Sequence, residues 1–127
     1  MKTTFTSYRI KGKGRGKTIG YPTINLAIPH DFVYPEGIYA VCVVIDNKKY
    51  QGALHWGAVP TFFETENSLE VYIINVKGVV FPTPYTRKVE VAIVKKIRAV
   101  KKFSSVEKLT EQMTSDIATI KNIFSTS

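Results

Sequence analysis

Cysteine is nearly absent from this chain: Cys42 is the only one in 127 residues. A disulfide within the chain is therefore excluded, and with it the bridge-stapled class of small secreted domains. Histidine is scarce too, with only His30 and His55, and neither stands at ligand spacing from Cys42 or a carboxylate. A structural zinc site is not expected, and no Ser/His/Asp arrangement is legible. No apolar run reaches membrane-spanning length, and Met1-Lys2-Thr3-Thr4-Phe5 lacks the apolar centre of a signal peptide. Acidic residues are few, 10 against 18 Lys+Arg, which gives a formal net charge of +8. That imbalance favours an anionic partner, whether nucleotide, nucleic acid or acidic membrane surface, without choosing among them. Cys42 lies in Tyr39-Ala40-Val41-Cys42-Val43-Val44-Ile45 and reads as a small buried hydrophobe. A reducing cytoplasm fits this usage.

The length suits a single domain over residues 1–127, and a hydrophobic fraction of 44% is enough for one real core. Strands are expected at Phe5–Ile10, Thr23–Ile28, Gly37–Asp46, Tyr50–His55, Leu69–Val76 and Lys88–Arg98, with Asp46-Asn47-Lys48-Lys49 as a turn. The links hold no crossover helices, so antiparallel pairing around a small closed barrel follows. The end of the chain changes period. Ser104 with Glu107 resembles a capping box, and Leu109, Met113, Ile117, Ile120 and Phe124 recur at helical spacing. A C-terminal helix should lie against the barrel.

The densest chemistry is in residues 12–25, Gly-Lys-Gly-Arg-Gly-Lys-Thr-Ile-Gly-Tyr-Pro-Thr-Ile-Asn. Glycine lets backbone N–H groups approach phosphate closely, and Lys13, Arg15 and Lys17 add charge. Two familiar phosphate motifs are excluded by counting. A Walker loop ending at Gly16-Lys17-Thr18 would need glycine where Lys11 stands, and Gly-x-Gly-x-x-Gly would need it at Lys17 or Ile19. A mobile solvated loop remains an alternative for the glycines alone. The following Pro22-Thr23-Ile24-Asn25 argues for more. On a strand, Thr23 and Asn25 share one face, and their neutral oxygens suit Mg²⁺ carried by a nucleotide.

Glu70 stands in Ser68-Leu69-Glu70-Val71-Tyr72-Ile73-Ile74, a segment otherwise free of charge. A poorly solvated carboxylate suits a general base for an alcohol proton, although a solvent-facing glutamate at a strand start is the plainer reading. Just before it, Gly57-Ala58-Val59-Pro60-Thr61-Phe62-Phe63 breaks the chain. Trp56, Phe62 and Phe63 could flank a flat ligand or serve as core. Phosphoryl transfer needs an anchored polyphosphate, a metal and an oriented nucleophile. The loop, Thr23 with Asn25, and Glu70 offer one candidate for each.

Gly14-Arg15-Gly16-Lys17-Thr18-Ile19-Gly20-Tyr21-Pro22-Thr23-Ile24-Asn25-Leu26 resembles the signature of the riboflavin kinase family. Matching blocks continue in order: Pro35-Glu36-Gly37-Ile38-Tyr39-Ala40, Gly57 to Phe62, Leu69-Glu70-Val71, Ile97-Arg98-Ala99 and Lys102-Phe103-Ser104-Ser105-Val106, then the helix with Leu109 and Asp116. The resemblance implies a six-stranded antiparallel Greek-key β-barrel with a C-terminal helix. It implies transfer of the ATP γ-phosphate to the ribityl 5′-hydroxyl of riboflavin, giving FMN. By the same resemblance Thr23 and Asn25 hold Mg²⁺, and Glu70 is the base. Gly12, Gly14, Arg15, Gly16, Lys17, Gly20, Pro22 and Thr23 enclose the nucleotide, while Arg98, Phe103 and Leu109 border the flavin. Bacterial relatives often carry an adenylyltransferase domain ahead of the kinase; this length leaves no room for one, so FAD synthesis is not expected.

Three places depart from the family pattern. Ile24 replaces the usual alanine, His55-Trp56 stands where smaller residues are usual, and Gly78-Val79-Val80-Phe81-Pro82-Thr83-Pro84-Tyr85 replaces a short acidic turn. The reading is a monomeric, Mg²⁺- and ATP-dependent riboflavin kinase with no nucleic-acid or membrane partner. One alternative is a flavin-binding regulatory protein that has lost turnover. The other, ranked behind it, is a basic barrel that binds nucleic acid. Against the latter, the cations gather in the glycine loop and at Lys95-Lys96 and Lys101-Lys102 instead of interleaving with aromatics.

Overall fold

Alternation of apolar and polar residues, with the apolar set facing one way, is what closes this chain on itself. The computed structural model describes residues 3–12, 21, 23–62, 66–74 and 88–126. Six strands are present: β1 (Thr4–Ile10), β2 (Ile24–Leu26), β3 (Gly37–Ile45), β4 (Lys48–Gly57), β5 (Ser68–Ile73) and β6 (Lys88–Arg98). They form a closed barrel in the order β1-β2-β5-β4-β3-β6, every pair antiparallel. Strands β3, β4 and β5 run as a meander, flanked by β6 beside β3 and β2 beside β5, which is Greek-key connectivity. Among the described residues every strand has a paired neighbour on both sides.

The interior is filled from alternate positions: Ile24 and Leu26, Tyr39, Val41 and Val43, Leu54 and Trp56, Leu69, Val71 and Ile73, Val89 and Val91. Trp56 belongs to this core, with its indole N–H donating to the Tyr34 carbonyl at 2.9 Å. It does not flank a ligand. The side chain of Phe62 and all of Phe63 lie outside the described residues.

Five of the six strands differ from expectation by one to three residues at an end, β5 stopping at Ile73 instead of Val76, and two of these boundaries have local reasons. Asp46 and Asn47 both take positive φ, 53° and 64°. That makes a two-residue type I′ turn, so Lys48 and Lys49 belong to β4 and not to the turn. Strand β2 stops at Leu26, although the Ala27 N–H still donates to the Tyr8 carbonyl at 3.0 Å. Pro29, two residues further on, has no N–H with which to prolong the ladder.

Helix α1 (Val106–Ser125) packs against β4, β3 and β6. Its cap is Ser105, one residue later than the sequence suggests: the Ser105 hydroxyl accepts from the Lys108 N–H at 3.1 Å. Leu109 and Ile120 are the buried apolar residues of its stripe, and the barrel face they cover is the outer one.

Candidate active site

The residues that do not face the core decide the chemistry. In β5, Leu69, Val71 and Ile73 point inward, so Ser68, Glu70 and Tyr72 stand on the outer wall. In β2 the inward residues are Ile24 and Leu26, which puts Asn25 outward, and Thr23 immediately precedes the strand. The strand register then places one row of outward residues around the barrel. Ile10 pairs with Asn25, Asn25 with Glu70, Glu70 with His55, His55 with Ile38, and Ile38 with Arg98. Neighbouring strands lie about 4.8 Å apart, so the wall from Glu70 to Arg98 spans about 14 Å, and Asn25 stands about 5 Å further on.

A cleft runs between this wall and helix α1. Thr23, His55, Glu70 and Tyr72 line it from the barrel, Met113 and Ile117 from the helix, and Arg98, Phe103 and Leu109 close one end. Glu70 is 6% exposed, so it is not a solvent-facing glutamate at a strand start. Both its oxygens are engaged. The Thr23 hydroxyl donates to Oε1 at 2.9 Å, and the Ser68 hydroxyl donates to Oε2 at 3.0 Å. Ser68 escaped the sequence reading, though its place two residues before Glu70 on a strand was a usable sign.

Asn25 is seated by an absent side chain. A Cβ built on Gly12 would lie 1.9 Å from Asn25 Nδ2 and 2.3 Å from Oδ1, so only glycine leaves the amide its place. Among the described residues no cluster of three or more His, Cys, Asp or Glu is available to a metal. A hydroxyl and an amide oxygen beside a carboxylate instead suit a hard cation that arrives with its own phosphate ligands, as Mg²⁺ does. The donor set therefore fits. Gly14, Arg15, Gly16, Lys17, Gly20 and Pro22, assigned to the nucleotide, lie outside the described residues, as does the segment 78–85.

The far end of the cleft is built on an ion pair. Arg98 Nη2 lies 2.8 Å from Asp116 Oδ2, and Arg98 Nε donates to both Asp116 oxygens at 3.0 Å. Gln112 adds a bond to Asp116 Oδ1 at 2.9 Å, and Arg98 Nη1 donates to the Ala99 carbonyl at 3.1 Å. Arg98 is thus an anchor between β6 and α1 before it is anything else. Its guanidinium and the Lys101 ammonium each sit 5.6 Å from the Phe103 ring centre. The Phe103 N–H donates to the Thr61 hydroxyl at 3.0 Å. At the other side, Tyr21 packs edge-on to Tyr72 at 5.3 Å and is hydrogen-bonded to the Thr114 hydroxyl. Thr114 itself donates to the Thr110 carbonyl, so Tyr21 is the donor. The end of the glycine-rich segment is thereby tied to the helix.

The family model described as riboflavin kinase matches residues 1–124. The bifunctional riboflavin kinase/FMN adenylyltransferase of Buchnera aphidicola subsp. Schizaphis graminum is 36% identical over 118 residues, covering 91% of this chain and 36% of that protein. The RNA-binding riboflavin kinase RibR of Bacillus subtilis is 31% identical over 117 residues, 91% of this chain and 48% of RibR. The chain thus spans about a third to a half of these relatives' length. Among solved structures, riboflavin kinase from Trypanosoma brucei superposes with a TM-score of 0.66 at 18% identity, covering 96% of this chain and 79% of that one.

Proposed function

This chain belongs to the riboflavin kinase family, and we propose that it transfers the γ-phosphate of ATP to the ribityl 5′-hydroxyl of riboflavin, giving FMN. The observation that carries this reading is the Thr23 hydroxyl 2.9 Å from the Glu70 carboxylate, with Asn25 as the cross-strand partner of Glu70. That arrangement supports a metal–nucleotide site beside a base. Thr23 and Asn25 would hold Mg²⁺, which would offset the charge that develops on the phosphates during transfer. Glu70 accepts the proton of the ribityl hydroxyl, the alkoxide oxygen forms the new bond to the γ-phosphorus, and the bond to ADP breaks. The Ser68 and Thr23 hydroxyls fix the orientation of the Glu70 carboxylate before the substrate arrives.

The span of about 14 Å between Glu70 and the Arg98–Phe103 end suits an acceptor whose reactive hydroxyl is carried some distance from a flat ring. Phe103 and Leu109 supply apolar contact for the ring, and Arg98 keeps Phe103 in place. The enzyme is read as a cytoplasmic monomer; among the described residues no helix is long and apolar enough to cross a membrane. Its partners are riboflavin, FMN, ATP and ADP.

The test is direct. Incubation with riboflavin, ATP and Mg²⁺ should yield FMN and ADP in equal amounts, and omission of Mg²⁺ should abolish both. Flavin binding without FMN would overturn the kinase reading in favour of a regulatory flavin binder. Salt-dependent oligonucleotide binding with no response to flavin would instead favour a nucleic-acid partner.

A further inference from the structure

Two cations close the ring end of the cleft, and they differ in what neutralises them. The Arg98 guanidinium sits on Asp116, with Nε and Nη2 both directed at that carboxylate. Lys101 also lines the cleft, from an exposed position. Its ammonium lies 5.6 Å from the centre of the Phe103 ring. Among the described residues it has no carboxylate partner and no hydrogen bond. The π face attracts the cation and keeps it at the rim, but supplies no oxygen acceptor for its N–H groups. The neighbours on that rim, Val100, Phe103 and Leu109, are apolar. The ring end of the cleft therefore carries an uncompensated positive charge, and Lys101 bears it.

We infer that Lys101 is a specificity-determining residue that reads the carbonyl-bearing edge of the acceptor's flat ring. The inference rests on the riboflavin reading above. One end of an isoalloxazine is apolar and carries methyl groups; the other carries carbonyl oxygens. A ring seated on Phe103 and Leu109 can turn either end toward Lys101. With the methyl end there, the ammonium would lose water and gain no acceptor. With the carbonyl end there, it donates a charge-assisted hydrogen bond to a carbonyl oxygen. Lys101 thus selects the orientation of the ring and favours flat ligands with a polar edge over flat ligands without one. Solvent at the rim screens the charge, which keeps the effect modest.

The test uses two rings that lack the hydroxylated chain. One is 7,8-dimethylalloxazine, which has the carbonyl edge; the other is 2,3-dimethylphenazine, which keeps the fused tricycle and the methyl groups without any carbonyl. Binding of each to wild type, Lys101→Met and Lys101→Arg is followed by difference absorbance. Wild type should bind the alloxazine about fivefold or more tightly than the phenazine. Lys101→Met keeps the stem and removes the ammonium; it should weaken the alloxazine about fivefold and leave the phenazine within about twofold. Lys101→Arg should restore most of the preference. With riboflavin, ATP and Mg²⁺, Lys101→Met should raise KM for riboflavin by about the same factor, while kcat and KM for ATP stay within about twofold. Equal weakening of both rings, an alloxazine affinity unchanged in Lys101→Met, or equal binding of both rings by wild type would overturn the inference. So would a wild type that forms FMN and binds neither ring, and in each of these cases FMN formation leaves the kinase reading standing. Selective loss of the alloxazine in a protein that makes no FMN would sink the kinase reading alone. Neither ring bound and no FMN formed would sink both.

Discussion

Asn25 and Glu70 face each other across antiparallel strands β2 and β5, and the Thr23 hydroxyl bridges toward the same carboxylate at 2.9 Å. Register fixes this relationship: a one-residue slip of β2 would turn Asn25 toward the core, and one of β5 would turn Glu70 there. The proposed metal ligand and the proposed base are consequently held by the same ladder that closes the barrel.

Glu70→Gln keeps the shape of the side chain; its one amide oxygen can accept from Thr23 or Ser68, and its NH2 can donate to the other hydroxyl. Binding of ATP and riboflavin, followed by flavin fluorescence, should stay within about twofold. Turnover should fall by about 10²–10⁴, the usual weight of a general base. Wild-type turnover in this variant would remove Glu70 from the chemistry.

Gly12→Ala tests the seat of Asn25 while leaving the amide itself in the chain. The new methyl would have to displace the Asn25 amide, since its Cβ falls 1.9 Å from Nδ2. The apparent Mg²⁺ requirement should rise about tenfold, as for Asn25→Ala, and high Mg²⁺ should partly restore the rate of both. A Gly12→Ala enzyme with wild-type Mg²⁺ dependence would show that Asn25 does not hold the cation.

Much of this arrangement was legible in the residues themselves. The alternation in Lys88–Arg98 gave β6 with its observed bounds, because half-buried strands carry a period of two. The pairing of Thr23 with Asn25 on one face followed from the same period, with Ile24 sent inward to a 6% exposed position. What the sequence hides is anything that depends on register between distant strands. Nothing local announces that His55 sits across from Glu70, or that Ser68 and Thr23 divide its two oxygens. The helix cap moved from Ser104 to Ser105 because two adjacent serines offer the same hydroxyl, and packing of Leu109 against the barrel chooses between them.

Arg98 and Asp116 form a shielded pair, their side chains 19% and 6% exposed. Removing either partner leaves the other charged and poorly solvated, which costs about 3–5 kcal/mol. Asp116→Ala or Arg98→Met should therefore lower the unfolding free energy by about that amount in urea titrations. The double variant Arg98→Met with Asp116→Leu should lose much less than the sum of the two. Additive losses would mean that the two side chains act independently.

Tyr39 offers the pH dependence. Its side chain is buried in the core, and its hydroxyl donates to the Pro35 carbonyl. Burial, and secondarily the neighbouring Tyr34, raises its pKa above the ordinary value of 10.0. The folded protein therefore keeps the phenolic proton where the unfolded chain gives it up. The stabilisation that follows is fully present below about pH 10 and disappears as pH climbs through the raised native value. Tyr39→Phe removes both the hydrogen bond and this titration. At pH 8 the variant should be less stable by about 1–2 kcal/mol, for the lost bond and the Pro35 carbonyl left behind. Melting both proteins between pH 8 and 12 should show the gap narrowing above pH 10, as wild type alone loses the Tyr39 contribution. A gap that stays constant across that range would show that ionising Tyr39 costs the fold nothing, and that its hydroxyl is not held in the core as described.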